Sequence, residues 1–436
     1  MERIVIHSDL NNFYASVERV LNPDLIGVPV AVCGNEEERR GIVLAKSEEA
    51  KRAGIKTGDT VWQAKRKCKG LVVVRPRFSE YMKYSRKVKA IYARYTDLIE
   101  SYGIDECWLD VTHSTKIFPK FDGDMYVEEN GEKHFSDEYL RFLGDFIRNT
   151  VKKELGLTVS VGVSFNKIYA KLASDLKKPD GTSVISYLNY KNVVYGLPVE
   201  DLLMVGGKTA VKLKNMGYAT IGRLAAAEDK RIVDALGKFG QTLLTYARGE
   251  DEEPVRALGD DRQLKSIGNS TTCPKDLTSY DEVKRYLFVL SESVASRLRE
   301  AGLGLADTVH LWVRDSNLIS YGVQKKVRHT ALCEEIANHA FDLFTAKFTP
   351  PFSVRALGVT VSGFDSGASQ LTFDEAAGTY GKREKVERTV DEIRKKHGYA
   401  SLQRGIIAED PVEMYDDIKG SHLIKPARFD DDGDKE

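Results

Sequence analysis

The pattern of apolar and polar positions divides the chain into three structured segments and a tail. In the first, residues 1–190, short apolar runs typical of buried strands alternate with amphipathic stretches of helical period. Strands are predicted at Ile4–His7, Val28–Cys33, Gly41–Ala45, Asp105–Thr112, Thr158–Ser164 and Thr182–Ile185. Helices are predicted at Asn12–Leu21, Glu48–Ala53, Tyr81–Tyr95, Asp137–Leu155 and Asn166–Leu176. This alternation predicts an α/β segment, with a Gly- and Asp-rich surface insertion at Phe118–Ser136.

The rest of the chain changes character twice. Residues 191–250 have a helical pattern only, and the acidic stretch Glu250–Leu264 is predicted to be a linker, because such composition buries too little apolar surface to fold alone. Residues 265–365 then predict the order β-α-β-β-α-β, a split βαβ arrangement. Its elements are predicted at Ser266–Thr272, Tyr280–Ala301, Thr308–Arg314, Leu318–Lys325, Thr330–Phe348 and Val354–Gly363. The tail from residue 366 is expected to have little core of its own.

Composition narrows the class of protein. The 436 residues suffice for two to four domains, and the apolar (42%) and charged (30%) fractions are those of a globular protein. No apolar run approaches the roughly 18 residues of a membrane span, and the N-terminus lacks the features of a signal peptide, so a cytoplasmic protein is expected. The five cysteines are far apart and the eight histidines are not paired, which argues against disulfides and zinc.

A basic block follows the first strand although the net charge of the chain is zero. Lys46 to Arg94 contains 15 Lys and Arg residues against 4 Asp and Glu residues. Such a block is often only a solvated helix face, but its place beside the first strand also favours an anionic substrate or nucleic acid.

Two groups of carboxylates stand at predicted strand ends. Asp9 ends the first strand, and Asp105 and Glu106 begin the fourth. Neighbouring side chains alternate on a strand, but at its end both can reach one site. Carboxylate oxygens are the ligands that Mg²⁺ prefers, and two such ions can serve a phosphoryl transfer. A bare Asp-Glu pair also occurs by chance, and Asp110, deeper in the strand, is predicted to be structural.

Two further features are compatible with phosphate binding. Ser164–Lys171 follows a strand and opens a helix, with Lys167 and Lys171 on one helical face. Gly206 and Gly207 lie in a pattern of the helix-hairpin-helix kind, whose backbone amides can approach a phosphate. A plain helical hairpin explains the second pattern equally well.

Taken in order, these motifs resemble those of the Y-family translesion DNA polymerases, in particular the DNA polymerase IV type of Gram-positive bacteria. The resemblance covers residues 1–363 and, more loosely, the tail. It is carried by Asp9 with Asn12-Phe13-Tyr14-Ala15-Ser16-Val17-Glu18, by Ile104-Asp105-Glu106, and by Val161-Gly162-Val163-Ser164 with Asn166-Lys167 and Ala170-Lys171.

The resemblance implies a right-hand polymerase of α/β and α+β domains. The implied parts are a ferredoxin-like palm (1–10 and 77–166), small fingers (11–76), a helical thumb with a helix-hairpin-helix (167–250), a linker (251–264), a β-α-β-β-α-β little finger (265–363) and a C-terminal tail (364–436). The implied activity is templated addition of dNTPs to a primer 3′-hydroxyl, with low fidelity and without proofreading.

Site residues are implied one by one. Asp9 and Asp105 match metal ligands, Glu106 matches the catalytic glutamate, and Leu10 stands where a backbone carbonyl reaches a metal. Together they imply two Mg²⁺ per active site.

The nucleotide side of the site is implied by three further positions. Tyr14 matches the steric gate, a ring under the sugar that excludes a 2′-hydroxyl, and Phe13 lies beside it. Lys167 matches a lysine on the triphosphate.

The predicted fingers depart from the family pattern. Where the family commonly has Thr or Ser, then Tyr and Arg, this chain has Ala45, Glu48 and Lys51. Lys51 keeps a charge without the bidentate fork of arginine, and Lys46 is a substitute candidate.

The expected partners are primer-template DNA, dNTPs and, through Gln370, Leu371 and Phe373, a sliding clamp; the protein is expected to be a monomer. Two other classes stay open. A nucleotidyl cyclase-like palm enzyme needs neither Tyr14 nor a helix-hairpin-helix, and a non-catalytic DNA-binding scaffold needs no complete set of acids.

Overall fold

The computed structural model describes residues 2–35, 41–260, 264–365 and 379–408. These form two compact units: the first comprises residues 2–33 and 43–260, the second residues 34–35, 41–42, 264–365 and 379–408, and the main division falls between residues 260 and 264. The division falls inside the stretch that the sequence assigns to a linker. No helix in the described ranges is long and apolar enough to cross a bilayer.

A five-stranded sheet of order β10-β9-β1-β6-β5 organises the first unit. The strands are β1 (Val5–Leu10), β5 (Ile99–Ser101), β6 (Glu106–Asp110), β9 (Val159–Ser164) and β10 (Thr182–Ile185). The helices beside the sheet are α4 (Phe78–Tyr92), α5 (Asp137–Leu155) and α6 (Lys167–Leu176). Strand β1 is central and fully buried, and it pairs antiparallel with both β6 and β9. Its run of apolar residues is therefore explained by cover on both faces.

Side chains along β1 point alternately to the two faces of the sheet, and this decides which helix each residue contacts. Ile4, Ile6 and Leu10 belong to one core with α4 and α5, while His7 hydrogen-bonds Ser174 of α6 on the other face. Helix α6 lies directly on the sheet, because a Cβ at Gly162 would be 2.0 Å from the Ala170 carbonyl oxygen. The side chains that follow His7 in period two therefore share the α6 face.

A small three-stranded module of order β3-β2-β4 lies within the predicted fingers. Its elements, which follow α1 (Phe13–Leu21), are β2 (Val30–Cys33), β3 (Val43–Lys46), α2 (Glu48–Arg52), α3 (Val61–Lys67) and β4 (Val72–Val74). A core of small apolar side chains, including Val43, Ala50 and Ala64, joins them.

The insertion at Phe118–Ser136, predicted as a surface segment, contains a largely exposed hairpin. Strands β7 (Tyr126–Glu129) and β8 (Glu132–Phe135) pair around Asn130 and Gly131, which both have positive φ. Asn-Gly is the preferred sequence of such tight turns, and this signal was missed in the prediction.

The end of the first unit is helical, as predicted. It comprises α7 (Tyr190–Val194), α8 (Gly207–Asn215), α9 (Ile221–Ala225), α10 (Asp229–Leu236) and α11 (Lys238–Arg248). The apolar face of α6 completes their core, and Gly206 is the N-cap of α8.

The second unit has the predicted β-α-β-β-α-β order. Its elements are β11 (Ser266–Leu277), α12 (Tyr280–Glu300), β12 (Leu305–Asp315), β13 (Ser320–Thr330), α13 (Cys333–Lys347) and β14 (Val354–Asp365). The antiparallel sheet has the order β11-β14-β12-β13. Two lysines of β13 form ion pairs at the surface: Lys325 with Asp342 of α13 at 3.1 Å, and the strongly exposed Lys326 with Asp307 of β12 at 3.1 Å.

The described part of the tail is better packed than predicted. Helices α14 (Thr379–His397) and α15 (Gly405–Ala408) belong to the second unit. Glu292 of α12, 2% exposed, accepts from Arg394 at 3.0 Å and from Arg404 at 2.9 Å. Two arginines of the tail thus take part in buried ion pairs with the second unit. The predicted clamp residues Gln370, Leu371 and Phe373 lie outside the described residues.

Candidate active site

Three carboxylates meet where β1 ends and β6 begins. Asp9 and Glu106 are direct cross-strand partners, so their side chains share the α6 face of the sheet. Asp105 precedes β6, and its carbonyl oxygen accepts from the Leu10 backbone N–H at 3.0 Å. The structure thus brings together the three acids that the sequence singled out across about a hundred residues.

The electrostatics of this cluster favour bound cations. Burial, together with the charges of Asp9 and Glu106, raises the pKa of Asp105 to about 6. Burial also raises the pKa of Asp9, although Lys178 opposes that shift. Burial would raise the pKa of Glu106 as well, but His7 and Lys171 outweigh it and lower the value to about 2. Neighbouring carboxylates resist joint ionisation unless positive charge accompanies them.

Two lysines supply that positive charge in this structure. Lys178 Nζ lies 2.6 Å from Asp9 Oδ2, and Lys171 Nζ forms an ion pair with Glu106 Oε2. Burial lowers the pKa of Lys178, but the charge of Asp9 more than compensates and raises it. No three His, Cys, Asp or Glu side chains of the described residues converge as ligands of one metal ion. In this structure Asp9 and Glu106 are each paired with a lysine. The hard oxygen donors themselves fit a divalent cation.

Lys167, predicted to bind the triphosphate, has a buried protein partner in the structure. Its side chain is 3% exposed, donates to Glu100 Oε2 at 2.8 Å and lies 5.2 Å from the centre of the Trp108 ring. Lys167 therefore forms a buried ion pair with Glu100 of β5. The cation beside Asp9 is Lys178, which sequence reasoning missed because it lies after the end of α6.

Tyr14 lies near the acids and is held firmly. Its ring stacks on Tyr81 with 4.3 Å between centroids and 9° between planes, and Phe78 packs edge-on at 5.9 Å. Burial and the negative charge of Asp105 raise the pKa of Tyr14 to about 12. Phe13, by contrast, is 3% exposed and belongs to the core, so it supports Tyr14 and does not offer a surface to a ligand.

The three-stranded module reaches the site through Glu48. Asn12 Nδ2 donates to Glu48 Oε1 at 2.9 Å, and Lys51 Nζ lies 3.7 Å from the same oxygen. Burial and the charge of Lys51 lower the pKa of Lys46. Lys46 and Lys51 therefore form a pair of cations near the loop between β1 and α1.

His7 is a further residue that the sequence analysis did not single out. It is fully buried; its Nδ1 lies 2.9 Å from Ser174 Oγ, and its Nε2 lies 3.2 Å from Glu106 Oε2 without the alignment of a hydrogen bond. Burial lowers the pKa of His7. Because residues two apart on a strand point to the same face, the position of His7 two residues before Asp9 could have predicted its place beside the acids. Asp110, as expected, is structural: it accepts from the backbone and hydroxyl of Thr112.

Comparison with known proteins identifies the family. The impB/mucB/samB family matches residues 8–175, and the C-terminal domain of the same family matches residues 264–373. The chain is 44% identical over 413 residues to DNA polymerase IV of Acetivibrio thermocellus, covering 94% of this chain and 98% of that one. It is 34% identical over 412 residues to DNA polymerase IV 1 of Bacillus subtilis, covering 92% of each.

Solved structures agree on the fold. A Y-family DNA polymerase chimera, Dbh-Dpo4(243-245)-Dbh, aligns with a TM-score of 0.70 and 24% identity over 84% of this chain and all of the other. The insertion ternary complex of Dbh DNA polymerase aligns with a TM-score of 0.57 and 23% identity over the same shares. The chain therefore belongs to the impB/mucB/samB family of Y-family DNA polymerases, as its motifs predicted.

Proposed function

We propose that this chain is a translesion DNA polymerase that extends a primer along a DNA template. The primer 3′-hydroxyl attacks the α-phosphorus of a dNTP, and pyrophosphate leaves. The observation that carries the proposal is the meeting of Asp9, Asp105 and Glu106 beside the stacked ring of Tyr14. Low fidelity and the lack of proofreading follow from family membership and the small size of the predicted fingers.

Divalent cations would be held by Asp9, Asp105 and Glu106. When bound, two Mg²⁺ ions would stabilise the charge on the attacking and leaving oxygens. The raised pKa of Asp105 and the lysines on the other two acids support this assignment, because they indicate a cluster that requires positive charge. Lys178 and Lys171 must release Asp9 and Glu106 before those carboxylates act as ligands. Leu10 remains the proposed source of a backbone carbonyl.

We propose that Lys178 binds the triphosphate of the nucleotide, with Lys46 and Lys51 as further cations. Lys178 has a half-buried ammonium beside Asp9 and, once released from that carboxylate, can bind the negatively charged phosphates of the nucleotide.

We expect Lys178→Ala to raise the KM for dNTP about tenfold with a smaller change in kcat. Lys167→Ala should instead lower the melting temperature, since it leaves Glu100 buried without its cation. Steady-state kinetics and thermal melts of both variants separate the two roles; a tenfold higher KM only in Lys167→Ala would reverse the assignment.

Primer-template DNA is the proposed partner of the helical part and of the second unit. The backbone amides at the start of α8 and the exposed cations of β13, Lys326 and Arg328, suit phosphate contacts. The first-unit sheet is proposed as palm, the three-stranded module as fingers, α7–α11 as thumb and the second unit as little finger. Binding should weaken steeply with salt, as phosphate contacts require.

We also propose that the chain acts as a cytoplasmic monomer and binds a sliding clamp through Gln370, Leu371 and Phe373. Deleting residues 370–373 should abolish stimulation of primer extension by a sliding clamp while leaving clamp-free extension unchanged. The measurement is extension length with and without clamp, for both proteins. Full stimulation of the deletion variant would place the clamp contact elsewhere.

Primer extension tests the proposed function directly. A labelled primer-template with dNTPs and Mg²⁺ should be extended. A cyclase-like enzyme would convert a nucleotide without primer, and a scaffold would bind the DNA unchanged; an unextended primer would therefore contradict the proposal. Damaged templates in the same assay test lesion bypass.

A further inference from the structure

Helix α3 presents an aromatic side chain to solvent on its outer face. Val61 and Ala64 point into the core of the three-stranded module and are at most 2% exposed. Trp62 is 63% exposed, which is unusual for so large an apolar side chain. The core of the module does not use this ring, so its exposure calls for another explanation.

The surroundings of the ring are strongly basic. The Arg66 guanidinium carbon lies 4.7 Å from the centre of the Trp62 ring, one helical turn further along α3. Lys65 lies three residues after Trp62 on the same helix, and Lys69 follows two residues after the helix ends at Lys67. Arg66 and Lys69 form no ion pair with any described residue, whereas Lys67, beside them, is held by Asp59 at 2.6 Å. We call Trp62, Lys65, Arg66 and Lys69 the α3 stripe.

The chemistry of the α3 stripe favours nucleic acid over protein as the occupant. The centre of a protein interface is depleted of charged residues, but three of the four stripe residues are cations. Aromatic rings flanked by cations suit unpaired nucleotides, since bases stack on the ring while cations meet the backbone. Arg66 covers one face of the indole, and a base on the opposite face would complete a sandwich.

The position of α3 indicates which part of a substrate it meets. The helix begins directly after the turn in which the Val43 N–H donates to the Asp59 carbonyl at 2.8 Å. Lys46, at the end of the same strand β3, donates to Thr57 Oγ1 at 3.1 Å. Two residues further, Glu48 contacts Asn12 at the candidate active site. The α3 stripe therefore lies on the outer surface of the module whose Glu48 contacts Asn12, next to the first strand of the candidate active site.

We propose that the α3 stripe is a stacking platform for an unpaired base of the template strand, on the 5′ side of the base being copied. In a primer-template this is the single-stranded part, and only there are bases free to stack on an indole. The inference rests on the proposed polymerase function and adds a binding site for the uncopied template to it.

The test compares DNA with and without single-stranded template. Binding of a primer-template with a ten-nucleotide 5′ overhang and of the matching blunt duplex is measured by fluorescence anisotropy. We expect Trp62→Ala to raise the Kd for the overhang DNA about tenfold and that for the blunt duplex less than twofold, since base stacking is worth roughly 1–3 kcal/mol. Trp62→Phe, which keeps a ring, should retain most of the affinity. Ile26→Ala, which alters another strongly exposed apolar residue (66%), serves as the matched control.

A second readout reports stacking itself. With 2-aminopurine at successive overhang positions, the wild type should quench emission at one or two of them, and Trp62→Ala should not. Equal affinity losses on both DNAs, or quenching that survives Trp62→Ala, would overturn the platform. Failure of the wild type to extend the same primer would instead contradict the polymerase function, so the two failures are distinguishable. Loss of self-association in Trp62→Ala without any change in DNA binding would show a protein interface and reject the proposal.

Discussion

Asp105→Asn is expected to reduce primer extension roughly a thousandfold while leaving DNA binding within a fewfold of the wild type. The substitution keeps the size of the side chain and removes one negative charge from the cluster of Asp9, Asp105 and Glu106. In the proposed mechanism that charge is needed to hold cations where the phosphoryl group is transferred, whereas the DNA meets other surfaces. Single-turnover extension and DNA binding at one salt concentration are the measurements.

The controls for this prediction separate chemistry from stability. Glu154→Gln makes the same change of charge in a pair with Arg94 at the surface, and it should leave extension unchanged. Glu106→Gln should be as inactive as Asp105→Asn, but it also removes the partner of Lys171 and a contact of His7, so its melting temperature must be measured. Extension by Asp105→Asn at more than a tenth of the wild-type rate would refute the assignment of this acid.

Tyr14→Ala is expected to lower the preference for dNTPs over rNTPs by about a hundredfold. Selection by a steric gate requires a ring that cannot move away when a 2′-hydroxyl presses on it. Tyr14 meets that requirement, because it is stacked on Tyr81 and braced edge-on by Phe78. Removing the ring opens space under the sugar, so rNTP incorporation should rise while dNTP incorporation falls only slightly.

The measurement is the ratio of kcat/KM for a dNTP and the matching rNTP on one primer-template. Tyr14→Phe is the control: it keeps the ring and its stacking partner and should keep the selectivity. Unchanged discrimination in Tyr14→Ala would mean that another group excludes the ribose. Since the hydroxyl of Tyr14 has its pKa raised to about 12, it stays protonated at neutral pH, and Tyr14→Phe removes no charge.

Sequence alone determined the features that depend on local patterns. The apolar run of β1, in which Asp9 is the second-last residue, follows from burial on both faces, and the acids at the start of β6 follow from motif spacing. The β-α-β-β-α-β order of the second unit was also correct, because the periods of strands and helices differ clearly over such long elements. The Asn-Gly turn at Asn130 is equally local, but no strand was predicted on either side of it.

Tertiary structure alone decided which partners the side chains meet. Lys167 and Lys171 share a helical face, yet Lys167 reaches Glu100 on β5 and Lys171 reaches Glu106 on β6, since helical spacing fixes a direction and not the strand opposite. Phe13 and Tyr14 are adjacent aromatic residues with different roles, and packing against α4 decides between them. Phe13 belongs to the core, whereas Tyr14 is held near the acids by stacking on Tyr81. The contact between Lys178 and Asp9 also depends on the fold. The two residues are 169 positions apart in the sequence, so no local pattern predicts their contact.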